Sequence, residues 1–165
     1  MIEPQAPVLA GIGLGANLGD ARATLGAAIE ALKLLPGTTL RAVSSIYRSA
    51  PVDSSGPDYL NAVALLDTRL APLALLAELQ RIELAHGRER PYYNAPRTLD
   101  LDLLFHGEQC MTTPTLVLPH PRMHERAFVL RPLAELAPGL KIPGHGTVVG
   151  MLATVADQRV DRLPR

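Results

Sequence analysis

Two aspartates stand one residue apart in the run Arg97-Thr98-Leu99-Asp100-Leu101-Asp102-Leu103. Residues 98–106 alternate apolar and polar, the pattern of a half-buried strand. Side chains two apart then share a face. Leu99, Leu101 and Leu103 are expected on a core, with Thr98, Asp100 and Asp102 on the opposite side. At strand rise the two aspartate Cα atoms lie about 6.5–7 Å apart. Adjacent carboxylates repel each other, but their hard oxygens suit a divalent cation such as Mg²⁺. The plain alternative is a solvated polar face. Arg88, Arg90 and Arg97 surround the entry to this strand, and Arg122 and Arg126 follow Pro119-His120-Pro121. Carboxylates able to hold Mg²⁺ beside clustered guanidiniums are the components of phosphoryl transfer from a nucleotide. Each arginine also has an ordinary surface partner to hand in Glu83, Glu89 or Glu125. His120, set between two prolines, is placed to donate to a phosphate or to act as an acid or base. A structural role is the alternative.

A second pattern concerns a flat ligand. Tyr59 and Asn61 share one face of a strand over residues 59–68. An aromatic ring beside an amide that both donates and accepts suits a heterocycle. The glycines of Gly11-Ile12-Gly13-Leu14-Gly15-Ala16 loosely match a dinucleotide fingerprint. Residues 31–36 are still helix and turn, so the acidic strand end that such a site requires is missing. Close packing beneath a binding site is the better role for these glycines. The chain contains no Walker A loop.

The elements that must hold these residues are short and cut by 15 prolines and 13 glycines. A strand is expected over 8–15 and a helix over 21–35, capped by Asp20 and ended by Pro36-Gly37. Strands follow over 39–48 and 59–68. A second helix begins at Pro72 and reaches Gly87, and a strand over 98–106 completes the core. Beyond it we expect a strand near 116–118 and helices near 126–137 and 147–157. The order β-α-β-β-α-β is ferredoxin-like: an α+β fold whose antiparallel sheet carries both helices on one face, with extra C-terminal elements. The other face is expected to be open and to carry the site. Residues 1–165 are expected to form a single domain.

Composition limits the alternatives. The apolar fraction of 47% is that of a globular protein, and 16 basic residues balance 16 acidic ones. A generally basic nucleic-acid binder is disfavoured. Lys33 and Lys141 are the only lysines, and arginine is the better phosphate partner. Cys110 is the lone cysteine; a single thiol forms neither an internal disulfide nor a thiolate metal cluster. The histidines show no zinc-ligand spacing. No apolar run is long enough to span a membrane, and the first residues lack the features of a secretory signal. A cytoplasmic protein with no membrane, nucleic-acid or obligate protein partner is expected. The rival reading is an RNA-binding module, which shares the βαββαβ order and stacks bases on its central strands.

The stretches GLGANLGD (13–20), SSIYRSAPV (44–52), PDYLNAV (57–63), QRIELAHGR (80–88), APRTLDLDLLFHG (95–107) and LPHPRMHERAFVLRPLAELAP (118–138) resemble the hydroxymethyl-dihydropterin pyrophosphokinase family of folate biosynthesis. The resemblance implies transfer of pyrophosphate from ATP to the hydroxymethyl group of 6-hydroxymethyl-7,8-dihydropterin, with AMP as the other product. Two Mg²⁺ ions are implied as cofactor. Asp100 and Asp102 match the metal ligands, and Arg88 and Arg97 the catalytic arginines that hold ATP phosphates. Leu76, Gln80, Glu83, His120 and Arg126 match further ATP-side positions. Ser49, Ala50, Val52, Tyr59, Asn61 and Phe128 match the pterin pocket. The chain departs from many relatives in lacking the tryptophan that precedes the second loop arginine; Tyr92 or Tyr93 is the expected substitute.

Overall fold

The computed structural model describes residues 6–17, 20–50, 58–88 and 99–164, with backbone only at 87 and 88. Strand β1 (Val8–Ala16) runs into helix α1 (Ala21–Lys33). The Asp20 carboxylate caps this helix, accepting from Ala23 N at 3.1 Å and satisfying one of the N-terminal donors that lack an intrahelical partner. The chain then turns through Gly37, whose φ of +59° is a left-handed value open to glycine.

The strand expected over 39–48 divides in two, β2 (Thr38–Val43) and β3 (Tyr47–Ser49). Side chains supply the reason. Ser44 Oγ accepts from Val63 N at 2.9 Å, and Ser45 N donates to the Glu135 carboxylate at 3.1 Å. These side-chain partners compete with the regular ladder and break it. Both pieces still lie along one edge of β4 (Tyr59–Thr68), β2 against residues 64–68 and β3 against 59–61.

Helix α2 (Pro72–Glu83) starts on Pro72, where the absent N–H costs nothing. It does not end on a glycine cap at Gly87, as its sequence suggests, but widens into a π-helical turn, Leu84–Arg88. Strand β5 (Asp100–His106) follows. A short hairpin comes next, β6 (Met111–Thr112) and β7 (Val117–Leu118), then a 3₁₀ turn, Met123–Glu125, and helix α3 (Ala127–Leu136). Four further elements close the chain: β8 (Lys141–Ile142), β9 (Gly146–Thr147), α4 (Val148–Ala153) and β10 (Val160–Arg162). Strands of two or three residues carry no readable periodicity, and β8, β9 and β10 are absent from the sequence reading for that reason. Helix α4 is shorter than the 147–157 expected.

The main sheet is antiparallel and runs β10-β3-β4-β1-β5, with β2 beside β3 on β4. This is the ferredoxin-like order. Ala10, Ile12, Leu14 and Ala16 of β1, with Leu99, Leu101 and Leu103, pack against Leu25 and Leu32 of α1 and Leu75 and Leu79 of α2. That half of the core is as expected. The opposite face differs from the expectation. Val63, Leu65, Leu104 and Phe105 on that face are covered by Met123, Leu130, Leu133, Val148 and Met151. A β-bulge explains part of this. The β1–β5 register shifts between Gly11 and Ile12, so Leu104 and Phe105, adjacent in sequence, both join the second core. Only one end of this face stays open.

Candidate functional site

The open end is floored by glycine. Ala10, Ile12 and Leu14 point to the helices, so Gly11, Gly13 and Gly15 point to the second face. A Cβ on Gly11 would stand 2.2 Å from the Phe105 ring, so Gly11 admits that ring to the core. A Cβ on Gly13 would meet Leu104 at 3.4 Å and Asp102 at 3.8 Å, and one on Gly15 would meet Asn61 Oδ1 at 3.5 Å. Gly13 and Gly15 therefore leave space rather than fill it. Above them lies a cavity of about 280 Å³.

Register decides what borders that cavity. Gly15 is opposite Asn61 on one side and Asp100 on the other; Gly13 is opposite Asp102. The order across the sheet is thus Asn61, Gly15, Asp100. At ordinary strand spacing the Cα atoms of Asn61 and Asp100 stand about 10 Å apart, with glycine between. Asn61 is only 4% exposed, and its Nδ2 donates to Ser49 Oγ at 2.7 Å. Ala50 and Tyr59 border the same end. Phe128, on the first turn of α3, forms part of the opposite wall, with the Arg126 guanidinium 5.5 Å over its ring. That separation is within cation–π range.

Asp100 and Asp102 line the cavity and are partly exposed. Two hard oxygen donors beside glycine-made space fit a Mg²⁺ ion that keeps waters and takes phosphate oxygens as its remaining ligands. No cluster of three or more His, Cys, Asp or Glu able to hold a metal occurs among the described residues.

His120 lies along the outer edge of β5, its N–H donating to Leu104 O at 2.8 Å. Its pKa is lowered to about 4, by burial first and then by the positive charges of Arg126 and Arg122. The ring is neutral at pH 7. Its Nδ1 accepts from Arg122 N at 3.1 Å, which leaves the proton on Nε2. A neutral donor is thus the form present, and the acid–base role considered from sequence has little titrating capacity near neutrality.

Three expected ATP-side residues stand apart from the cavity. Leu76, Gln80 and Glu83 lie on α2, on the helix-covered face of the sheet. Glu83 is 2% exposed and its Oε2 accepts from Leu101 N at 2.7 Å, fastening α2 to the start of β5. Arg88 ends the π-helical turn, and its side chain lies outside the described residues, as do Val52, Arg97, Arg90, Tyr92 and Tyr93. Gly13 and Gly15, expected only to pack closely, border the cavity; their period-two spacing on a strand is the signal for it in the sequence. It passed over Tyr47 and Glu135, which meet only in the tertiary structure.

Fold and site together define a class: a ferredoxin-like α+β protein whose cavity is bordered by Tyr59 and Asn61 at one end and by the carboxylates of Asp100 and Asp102 at the other, with Arg126 on its wall. The model of the family described as 7,8-dihydro-6-hydroxymethylpterin-pyrophosphokinase (HPPK) matches residues 11–138. A 2-amino-4-hydroxy-6-hydroxymethyldihydropteridine pyrophosphokinase of Pseudomonas aeruginosa is 47% identical over 93% of this chain and 95% of its own length. The Haemophilus influenzae protein of the same name is 41% identical over 94% of this chain and 98% of its own. A crystal structure of Plasmodium falciparum HPPK-DHPS superimposes with a TM-score of 0.77 at 15% identity, a likeness of fold. The alignment covers 94% of this chain and 46% of that longer one. The chain belongs to the dihydropterin pyrophosphokinase family, transferases of folate biosynthesis. Membership decides against the RNA-binding alternative. The structure adds a physical reason: α3 and α4 cover much of the face on which bases would stack.

Proposed function

We propose that this protein transfers pyrophosphate from ATP to the hydroxymethyl group of 6-hydroxymethyl-7,8-dihydropterin and releases AMP. The supporting observation is the row Asn61, Gly15, Asp100 across the sheet. A bicyclic ring laid over Gly15 places its polar edge at Asn61 and its substituent toward the carboxylates. With Nδ2 engaged by Ser49, Asn61 turns its carbonyl oxygen toward the ring and reads a donor there. Tyr59 and Phe128 supply stacking surfaces, and Ser49, Ala50 and Val52 complete this end.

The hydroxymethyl oxygen attacks the β-phosphorus of ATP. The bond from that phosphorus to the α–β bridging oxygen breaks, that oxygen leaves on AMP, and the hydroxyl proton is released. On this reading Asp100 and Asp102 hold two Mg²⁺ ions, which when bound neutralise phosphate charge. Arg88 and Arg97 hold the transferred group, while Arg126 and the His120 Nε2–H contact phosphates. The nucleotide runs along the outer edge of β5, and Leu76 and Gln80 form its far side, with Glu83 holding α2 to β5 behind them. Residues 1–165 act as one catalytic unit in the cytoplasm on the two small molecules alone. No helix among the described residues is long and apolar enough to cross a membrane.

Incubation with ATP and the dihydropterin, resolving AMP from ADP, tests the reading. AMP and a pterin diphosphate in equal amounts are expected. ADP as product, or no turnover with Mg²⁺ present, would overturn it.

A further inference from the structure

Glu135 occupies the last turn of α3, where a negative charge opposes the helix dipole. Its contacts lie elsewhere. Tyr47 Oη donates to Glu135 Oε1 at 2.7 Å, and Ser45 Oγ donates to Oε2 at 3.1 Å. Ser45 N reaches both oxygens at 3.1 Å. Arg162 Nη2 on β10 is 3.8 Å away, and the Glu135 side chain is 17% exposed. Burial alone would push this carboxyl up, but the hydrogen bonds and Arg162 outweigh it and hold it ionised. One carboxylate thus ties α3 to β3, to the break before it, and to β10.

Strand β3 has only three residues, paired with β10 on one side and β4 on the other. Yet it seats Asn61 twice. Tyr47, 3% exposed, lies directly opposite Asn61, and Ser49 accepts from the Asn61 amide. On its other flank Asn61 has only Gly15, which offers no side chain. The other end of α3 carries Phe128 and is capped by Arg126, the facing wall.

We propose that Glu135 is a positioning residue for the pterin end of the cavity, acting through Tyr47 and β3 on Asn61, and this rests on the pyrophosphokinase reading. The carboxylate sets the separation between the wall that reads the ring edge and the wall that stacks on the ring. Asp100 and Asp102, on β5 beyond β1, are outside its reach.

The full chain and its Glu135→Ala, Glu135→Gln and Tyr47→Phe variants test this by steady-state kinetics and by the Asn61 side-chain amide resonances without substrate. In Glu135→Ala the KM for dihydropterin rises about tenfold, as loss of a buried hydrogen-bond network implies, with the KM for ATP within about twofold of wild type. Glu135→Gln keeps an acceptor for Tyr47 and recovers part of that loss. The Asn61 amide resonances move in both Glu135→Gln and Tyr47→Phe. Unmoved Asn61 resonances in these two variants overturn the proposal, as does a parallel rise of both KM values. Should Glu135→Ala fail to fold, the Gln and Phe variants decide. A wild-type protein that makes no AMP refutes the functional reading, and the Asn61 resonances still decide the role of Glu135.

Discussion

Asn61 and His120 are each held by a partner that also limits what they can do. Asn61 donates one Nδ2–H to Ser49, and its carbonyl oxygen lies toward the space over Gly15. Asn61→Ala should weaken dihydropterin binding far more than ATP binding, because the ring edge loses its acceptor. Calorimetry with each ligand separately checks this; equal losses would signal misfolding. Asp100 and Asp102 lie on the side of β5 away from the α1–α2 core, so removing either charge should spare the fold. Asp100→Asn or Asp102→Asn should lower kcat on the order of a thousandfold, about 4 kcal/mol of transition-state stabilisation. Thermal melts should stay close to wild type, and near-normal turnover at saturating Mg²⁺ would exclude the metal role. His120 contributes a neutral Nε2–H, and bound phosphate should raise its pKa from about 4 by placing negative charge beside it. An NMR titration of the ring with and without an ATP analogue reads this directly. An unchanged midpoint would place the phosphates elsewhere.

At the scale of the element, β1 shows how one strand serves two functions by alternation. Ala10, Ile12, Leu14 and Ala16 fill the core under the helices, and Gly11, Gly13 and Gly15 between them have empty Cβ positions that do two different things. Gly11→Ala places a methyl 2.2 Å from Phe105 and should destabilise the protein by about 1–3 kcal/mol through overpacking. Gly15→Ala meets Asn61 only at contact distance, 3.5 Å. It should leave stability near wild type and instead raise the KM for dihydropterin, by narrowing the floor on which the ring lies. Urea denaturation and kinetics on the two variants separate these outcomes. If Gly15→Ala binds the pterin normally, the ring does not lie over β1.

At the scale of the whole molecule, acid should be destabilising for reasons visible at two sites. The folded state holds His120 unprotonated down to a pKa of about 4, whereas the unfolded chain takes a proton at the ordinary 6.5. Its contribution to stability is full above the unfolded value and is lost as pH falls from 6.5 toward 4. Glu135, also held below its ordinary value, adds a loss in the same direction at lower pH. A His120→Gln variant, which keeps an acceptor for Arg122 N but does not titrate, should lose less stability than wild type between these limits. Parallel pH profiles from urea unfolding would show that His120 does not sense the fold.

Local patterns in the sequence determined much of this protein. Asp20, Pro72 and the alternation of residues 99–103 each act over a few residues, and each is where those patterns place it. Of the residues that the family stretches name, Ser49, Ala50, Tyr59, Asn61, Asp100, Asp102, Arg126 and Phe128 border the same cavity. The tertiary structure decided what alternation cannot: which strands are neighbours and in what register. The bulge that turns Leu104 and Phe105 to one face, the covering of that face by α3 and α4, and the order Asn61, Gly15, Asp100 all follow from pairing between distant segments. So does Glu135, an acidic residue on an amphipathic helix that reads as surface until β3 is brought beneath it. Periodicity reports which way a side chain points along its own element; only packing reports what it meets there.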